Sequence, residues 1–93
     1  ALKRPQKKYV LSLIHNNLGN AYIYNNMINE GIAEYLEAIE IKPDFSLAHY
    51  NLAYTYYGTG RDSLAVKHAE LAMKHGYPAH EVEKLLKALS SRR

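Results

Sequence analysis

Apolar side chains recur along the chain at helical spacing. Leu11, Leu18 and Tyr22 share one face of a helix, and Ile28, Ile32, Tyr35 and Ile39 share another. No segment sustains the alternation of a half-buried strand. Helix-breaking residues punctuate the pattern. Asn25-Asn26 suits the end of the first helix, because Asn tolerates the left-handed backbone of a helix C-terminus. Pro43-Asp44 ends the second helix and opens the third, with Asp44 or Ser46 as the expected N-cap. Gly58 and Gly60 close the third helix, Asp62 or Ser63 starts the fourth, and Gly76 stops it. Pro78 suits the first turn of a fifth, whose apolar stripe is Val82, Leu85, Leu86 and Leu89. The pattern predicts helices near 6–25, 28–41, 45–58, 62–75 and 79–90. Their connections are short, so neighbouring helices should form antiparallel hairpins stacked side by side.

A repeat underlies this order. Shifted by 34 residues, the sequence meets itself: Ser12 on Ser46, Leu13 on Leu47, His15 on His49, Asn17 on Asn51, Leu18 on Leu52, Tyr22 on Tyr56 and Ala38 on Ala72. Self-similarity at one fixed period marks a solenoid. The first unit reads His15-x2-Leu18-Gly19-x2-Tyr22, then Gly31-x3-Tyr35, then Pro43; the second reads His49-x2-Leu52-Ala53-x2-Tyr56, then Ala65-x3-Ala69. This resembles the tetratricopeptide repeat, W-x2-L-G-x2-Y…A-x3-F…P over 34 residues. His15 and His49 stand where the family usually has Trp, Asn26 stands where it has a turn Gly, and Pro78 comes one residue late.

The resemblance implies an all-α fold, an antiparallel helix-hairpin solenoid of five helices. It divides the chain into a basic extension with the start of the first helix (1–11), one repeat (12–45), a second (46–78), and a capping helix with a basic tail (79–93). Gly19, Gly31, Ala38, Ala53, Ala65 and Ala72 should sit where packed helices approach most closely. Leu18, Tyr22, Leu52 and Tyr56 are then assigned to packing between helices.

In this family the first helix of each unit lines the concave surface. Projected here, that surface carries Leu13, Asn16, Asn20 and Ile23 with Tyr24 alongside, and Leu47, Tyr50, Tyr54 and Tyr57 with Asn51. The Tyr50/Tyr54/Tyr57 face is left over from packing and aromatic, which suits an interface. Asn16 and Asn20 have the donors and acceptors to meet a peptide backbone. A subclass of the family grips a C-terminal carboxylate with Lys, Asn, Asn, Lys and Arg. Asn20 and Asn51 match its two Asn positions, but Asn16, Glu81 and Leu85 stand where cations are needed, so an apolar or aromatic-bearing peptide or helix is the expected ligand. The expected function is therefore a protein–protein interaction module. The alternative is a self-association module forming homo-oligomers through the groove or the solenoid ends.

Composition and charge narrow the remaining classes. The chain has 93 residues, nine Tyr, no Trp and no Cys, which excludes a disulfide framework, a thiol nucleophile and a Cys-based zinc site. No apolar run approaches the ~20 residues that span a bilayer. The chain begins at Ala1, so the missing targeting signal carries little weight, and a cytoplasmic location is favoured. Basic residues cluster at the ends: Lys3, Arg4, Lys7 and Lys8 with no acid, and Lys74, Lys84, Lys87, Arg92 and Arg93 against Glu81 and Glu83. Solvated termini explain these better than a binding patch. RNA binding is disfavoured, because the groove stripe contains no Lys or Arg. Five histidines raise the question of metal, yet their spacing puts no pair of ligands together on one helix. Glu30, Glu34 and Glu37 form a row expected on the convex, solvated side. No nucleophile elbow, phosphate loop or catalytic triad is present, so neither enzymatic activity, a cofactor nor a metal is expected.

Overall fold

The computed structural model describes residues 2–92. Ala1 and Arg93, the outermost residues of the division expected from the repeat, lie outside the described residues. Five helices follow in order: α1 (Arg4–Tyr24), α2 (Ile28–Ile41), α3 (Ser46–Gly58), α4 (Asp62–Lys74) and α5 (Ala79–Ser90). All the regular structure among the described residues is helical. α1 packs on α2 and α3 on α4 as hairpins; α2 joins the hairpins by packing on α3, and α5 covers α4 and α3. This is an all-α helix-hairpin solenoid.

Three turns share one ending. The Met27 N–H bonds Tyr22 O, the Arg61 N–H bonds Tyr56 O and the Tyr77 N–H bonds Ala72 O, at 2.8, 2.9 and 2.9 Å. Each bond spans a residue with left-handed backbone, Asn26 (φ 61°), Gly60 (φ 76°) or Gly76 (φ 100°). That is the Schellman arrangement, which satisfies carbonyls a helix end would otherwise leave open. The start of α3 differs from expectation. Phe45, not Asp44 or Ser46, is its N-cap, and no side chain caps it. Phe45 instead buries its ring with Ala38 and Ala48, edge-on to Tyr9 at 5.9 Å. Asp44 accepts from Lys42 Nζ at 2.7 Å, and that bond holds its carboxyl below the usual carboxylate range.

The close approaches occur at the expected small residues. A Cβ on Gly19 would lie 2.6 Å from the Tyr35 ring, and one on Gly31 would lie 2.5 Å from the end of Ile23. Ala38, Ala53, Ala65 and Ala72 are fully buried. Ser12 Oγ adds a bond to Ala38 O at 3.1 Å across the same seam. The main core runs from Ile32 and Tyr35 through Leu52, Ala53, Tyr56, Ala65, Ala69 and Ala72 to Val82, Leu85 and Leu89. It is centred on the second hairpin, and this overturns one expectation. Leu52 and Tyr56 are buried, but Leu18 and Leu11 are exposed, because no helix lies on that side of α1 among the described residues.

Candidate functional site

The residues expected to line the concave surface, Tyr24 excepted, divide into three groups. The first closes on itself. Asn16 is fully buried. Its Oδ1 accepts from Asn51 Nδ2 at 2.9 Å, while its own Nδ2 has no partner. Asn51 Nδ2 also donates to Asn20 Oδ1 at 3.3 Å, and Tyr35 OH donates to the same oxygen at 2.5 Å. The ladder ties α1 and α2 to α3. Asn16 is thereby withdrawn from ligand contact, and Asn20, though exposed, spends its carbonyl on the ladder. Burial raises the Tyr35 phenol pKa, so it remains a donor.

The second group is packed. Ile23 fills the space over Gly31 and borders the main core, which removes it from the groove wall. Leu13 and Leu47 are half-buried against the Phe45 cluster. Tyr24 belongs to neither set: at 93% it is the most exposed large hydrophobic residue described, and it stands near the far end of α1.

The third group forms a hollow. Tyr50, Tyr54 and Tyr57 on α3 face Glu81, Lys84, Leu85 and Ala88 on α5 across a cavity of about 260 Å³. Spacing of i, i+4 and i+7 brings the three rings onto one side of α3. Tyr50 stacks flat on Tyr77, with centroids 4.1 Å apart and planes 8° from parallel. The Arg92 guanidinium lies 3.8 Å over the Tyr57 ring and its Nη1 donates to Asp62 Oδ1 at 2.8 Å, so Tyr57 is braced by the segment after α5. Tyr54, between them, is 58% exposed, with its ring 6.1 and 6.2 Å from its two neighbours. Burial raises the Tyr50 and Tyr77 phenols above their ordinary range, and Glu81 adds to both shifts. The wall is thus neutral and aromatic, flanked by one acid and one base.

Sequence reasoning set the tyrosines against the 79–90 helix only as the alternative to an open groove, and it named no α5 residue as part of the site. The signal was available: residues 79–90 are amphipathic, and a helix stacked after α4 must present its flank to α3. It also missed the partners of the histidines. His15 Nδ1 donates to Glu34 Oε1 at 2.7 Å. Thus Glu34 is half-buried at the α1–α2 seam, while Glu30 and Glu37 are exposed. The corresponding pair in the second hairpin is His49 and His68, Nδ1 to Nδ1 at 3.0 Å. His49 Nε2 donates to Pro43 O at 2.8 Å, so its Nδ1 accepts and His68 Nδ1 donates. Burial lowers the His49 pKa, and burial with neighbouring His49 and Lys67 pushes His68 down to about 4. His75 stacks on the other side of His49 at 5.9 Å. Among the described residues no group of three or more His, Cys, Asp or Glu is placed to hold a metal ion, and no helix is long and apolar enough to cross a membrane.

Residues 19–60 match the family model described as TPR repeat. No curated protein matches the chain.

Proposed function

For a chain that carries the TPR repeat over residues 19–60, a repeat that mediates contacts between proteins and is not itself enzymatic, we propose that the hollow between α3 and α5 holds a peptide or helix of a partner protein, with Tyr54 as the central contact. The observation that carries this reading is the half-open ring of Tyr54 between two braced tyrosines. Tyr50 and Tyr57 are already held by Tyr77 and Arg92, so little side-chain freedom is lost when a ligand packs on them. A Tyr offers large contact area with few rotatable bonds, and central aromatic anchors dominate binding energy. The hollow is small, so it suits one or two ligand side chains, with apolar or aromatic groups favoured by the neutral wall. Glu81 and Lys84 at its edge would orient a ligand that carries both signs of charge.

The test is selection of peptides from a random library on the intact chain, followed by titration of the winners on wild type and on Tyr54→Ala. Loss of about tenfold or more in affinity, with far-UV circular dichroism unchanged, is the expected result. Peptides that bind Tyr54→Ala as well as wild type would place the site elsewhere.

A further inference from the structure

The 34-residue shift aligns Leu11 with Phe45, Ile14 with Ala48, Leu18 with Leu52 and Tyr22 with Tyr56. At the N-cap of α3 and along it all four are buried; Ala48 and Leu52 are 0% exposed. On α1, Leu11, Ile14 and Leu18 are 48%, 54% and 41% exposed, while Tyr22 is half-buried. What covers the α3 set is α2, whose Ile32, Tyr35, Ala38 and Ile39 share its clusters. The corresponding face of α1 has no such helix among the described residues. The opposite end of the stack is finished differently. α5 turns Val82, Leu85 and Leu89 inward and leaves His80, Glu83, Lys84 and Lys87 exposed. Among the described residues, one end is therefore polar and closed, the other apolar and uncovered.

Charge beside the open face is one-sided. Arg4, Lys7, Lys8 and Leu11 line a cavity of about 640 Å³, shared with Ile41 and Pro43 at the end of α2. Lys42 is also there, but Asp44 already pairs with it. A second copy of this chain matches this poorly. Antiparallel pairing of two α1 helices would set Arg4, Lys7 and Lys8 against residues 21–28, which contain no acid. Parallel pairing would set base on base. α5 offers Lys84 and Lys87 beside Glu81 and Glu83, and the outer face of α2, though acidic through Glu30, Glu37 and Glu40, exposes only Leu36 among large apolar side chains.

We propose that the outer face of α1 docks an amphipathic, acidic helix of a partner protein. The helix lies antiparallel to α1, as α2 does to α3, with apolar residues spaced i, i+3 or i+4, and i+7 over Leu11, Ile14 and Leu18. Its C-terminal end then sits over Arg4, Lys7 and Lys8, where both its dipole and its carboxylates are favoured. This surface is separate from the tyrosine hollow, so the two readings stand or fall independently.

The probe is already in the sequence. A fluorescent peptide of residues 28–42 reproduces the helix that covers the equivalent face of α3, and it carries Glu30, Glu34, Glu37 and Glu40 against one Lys. Titrated with the intact chain, it should bind saturably, and more weakly as salt rises. Leu18→Asp and, separately, Ile14→Asp should each weaken binding about tenfold, since each puts a charge on a face that docking desolvates. Lys7→Glu with Lys8→Glu should weaken it several-fold, and most of the salt dependence should vanish. Tyr54→Ala should leave affinity within about twofold. Three results overturn the proposal: no binding to wild type, equal binding to folded Leu18→Asp and Ile14→Asp variants, or a free chain that dimerises until Leu18→Asp makes it monomeric.

Discussion

The two hairpins share a sequence pattern and differ in surroundings. α3 has helices on both flanks, so the side chains at positions 45, 48, 52 and 56 are core. Among the described residues α1 has a helix on one flank only, and the same pattern leaves leucine and isoleucine exposed. The histidine pairs diverge in the same way. His15, half-buried at the α1–α2 seam, meets a carboxylate; His49, buried, meets a second imidazole whose charge is suppressed. Sequence similarity between repeats therefore fixes which side chains point along the stack, while the presence of a neighbour decides whether they stabilise the fold or offer a surface.

Truncation at equivalent sites separates these cases most strongly. Leu52→Ala should cost ~2–5 kcal/mol by loss of burial and creation of a cavity, whereas Leu18→Ala should cost under ~1 kcal/mol. Equal losses in urea denaturation would mean that α1 is covered in solution. Acid is the next probe. The folded pKa of His68, about 4, is below its ordinary value of 6.5. The unfolded chain therefore takes up the proton first. Stability is fully present above pH 6.5 and declines as pH falls from 6.5 towards 4, by roughly 3 kcal/mol at most. His49, lowered in the same direction, adds to the decline. His68→Gln keeps a donor for His49 and should flatten much of the slope in a pH series of thermal melts.

Smaller effects sharpen the picture at the seams. Gly19→Ala forces a methyl into the Tyr35 ring and should destabilise by ~1–3 kcal/mol, less what Ala returns in helix propensity. Gly58→Ala meets nothing within 4 Å and should be neutral or mildly stabilising. Arg92→Ala removes the cation over Tyr57 and the pair with Asp62, at ~0.5–1 kcal/mol in melting experiments.

The helices were legible because their breaks are chemical. Asn26, Gly60 and Gly76 take left-handed backbone that other residues resist, and apolar spacing fills the intervals. The tyrosine wall was legible for a related reason: three large rings on one side of α3 exceed what one hairpin partner can cover. Asn16 and Ile23 were not, because spacing gives a residue's direction and not the depth of what it meets. A Gly at position 31 draws Ile23 inward, and an Asn at position 51 bonds Asn16 across the stack. Two repeats alone point to uncovered stack ends, but the exposure of Leu18 was not legible, since whether a helix lies beyond it is a property of the assembled stack rather than of local pattern. The His49–His68 contact had a faint signature, a spacing of 19 residues shared with His15 and Glu34.

The proposed partner-holding role of the hollow is tested most directly by backbone amide chemical-shift mapping of the intact chain with a selected peptide. Large shifts should gather at Tyr50, Tyr54 and Tyr57 of α3 and at Lys84, Leu85 and Ala88 of α5, with Leu11, Ile14 and Leu18 of α1 unmoved. Shifts confined to α1, or absent from the α3–α5 hollow at saturation, would contradict it.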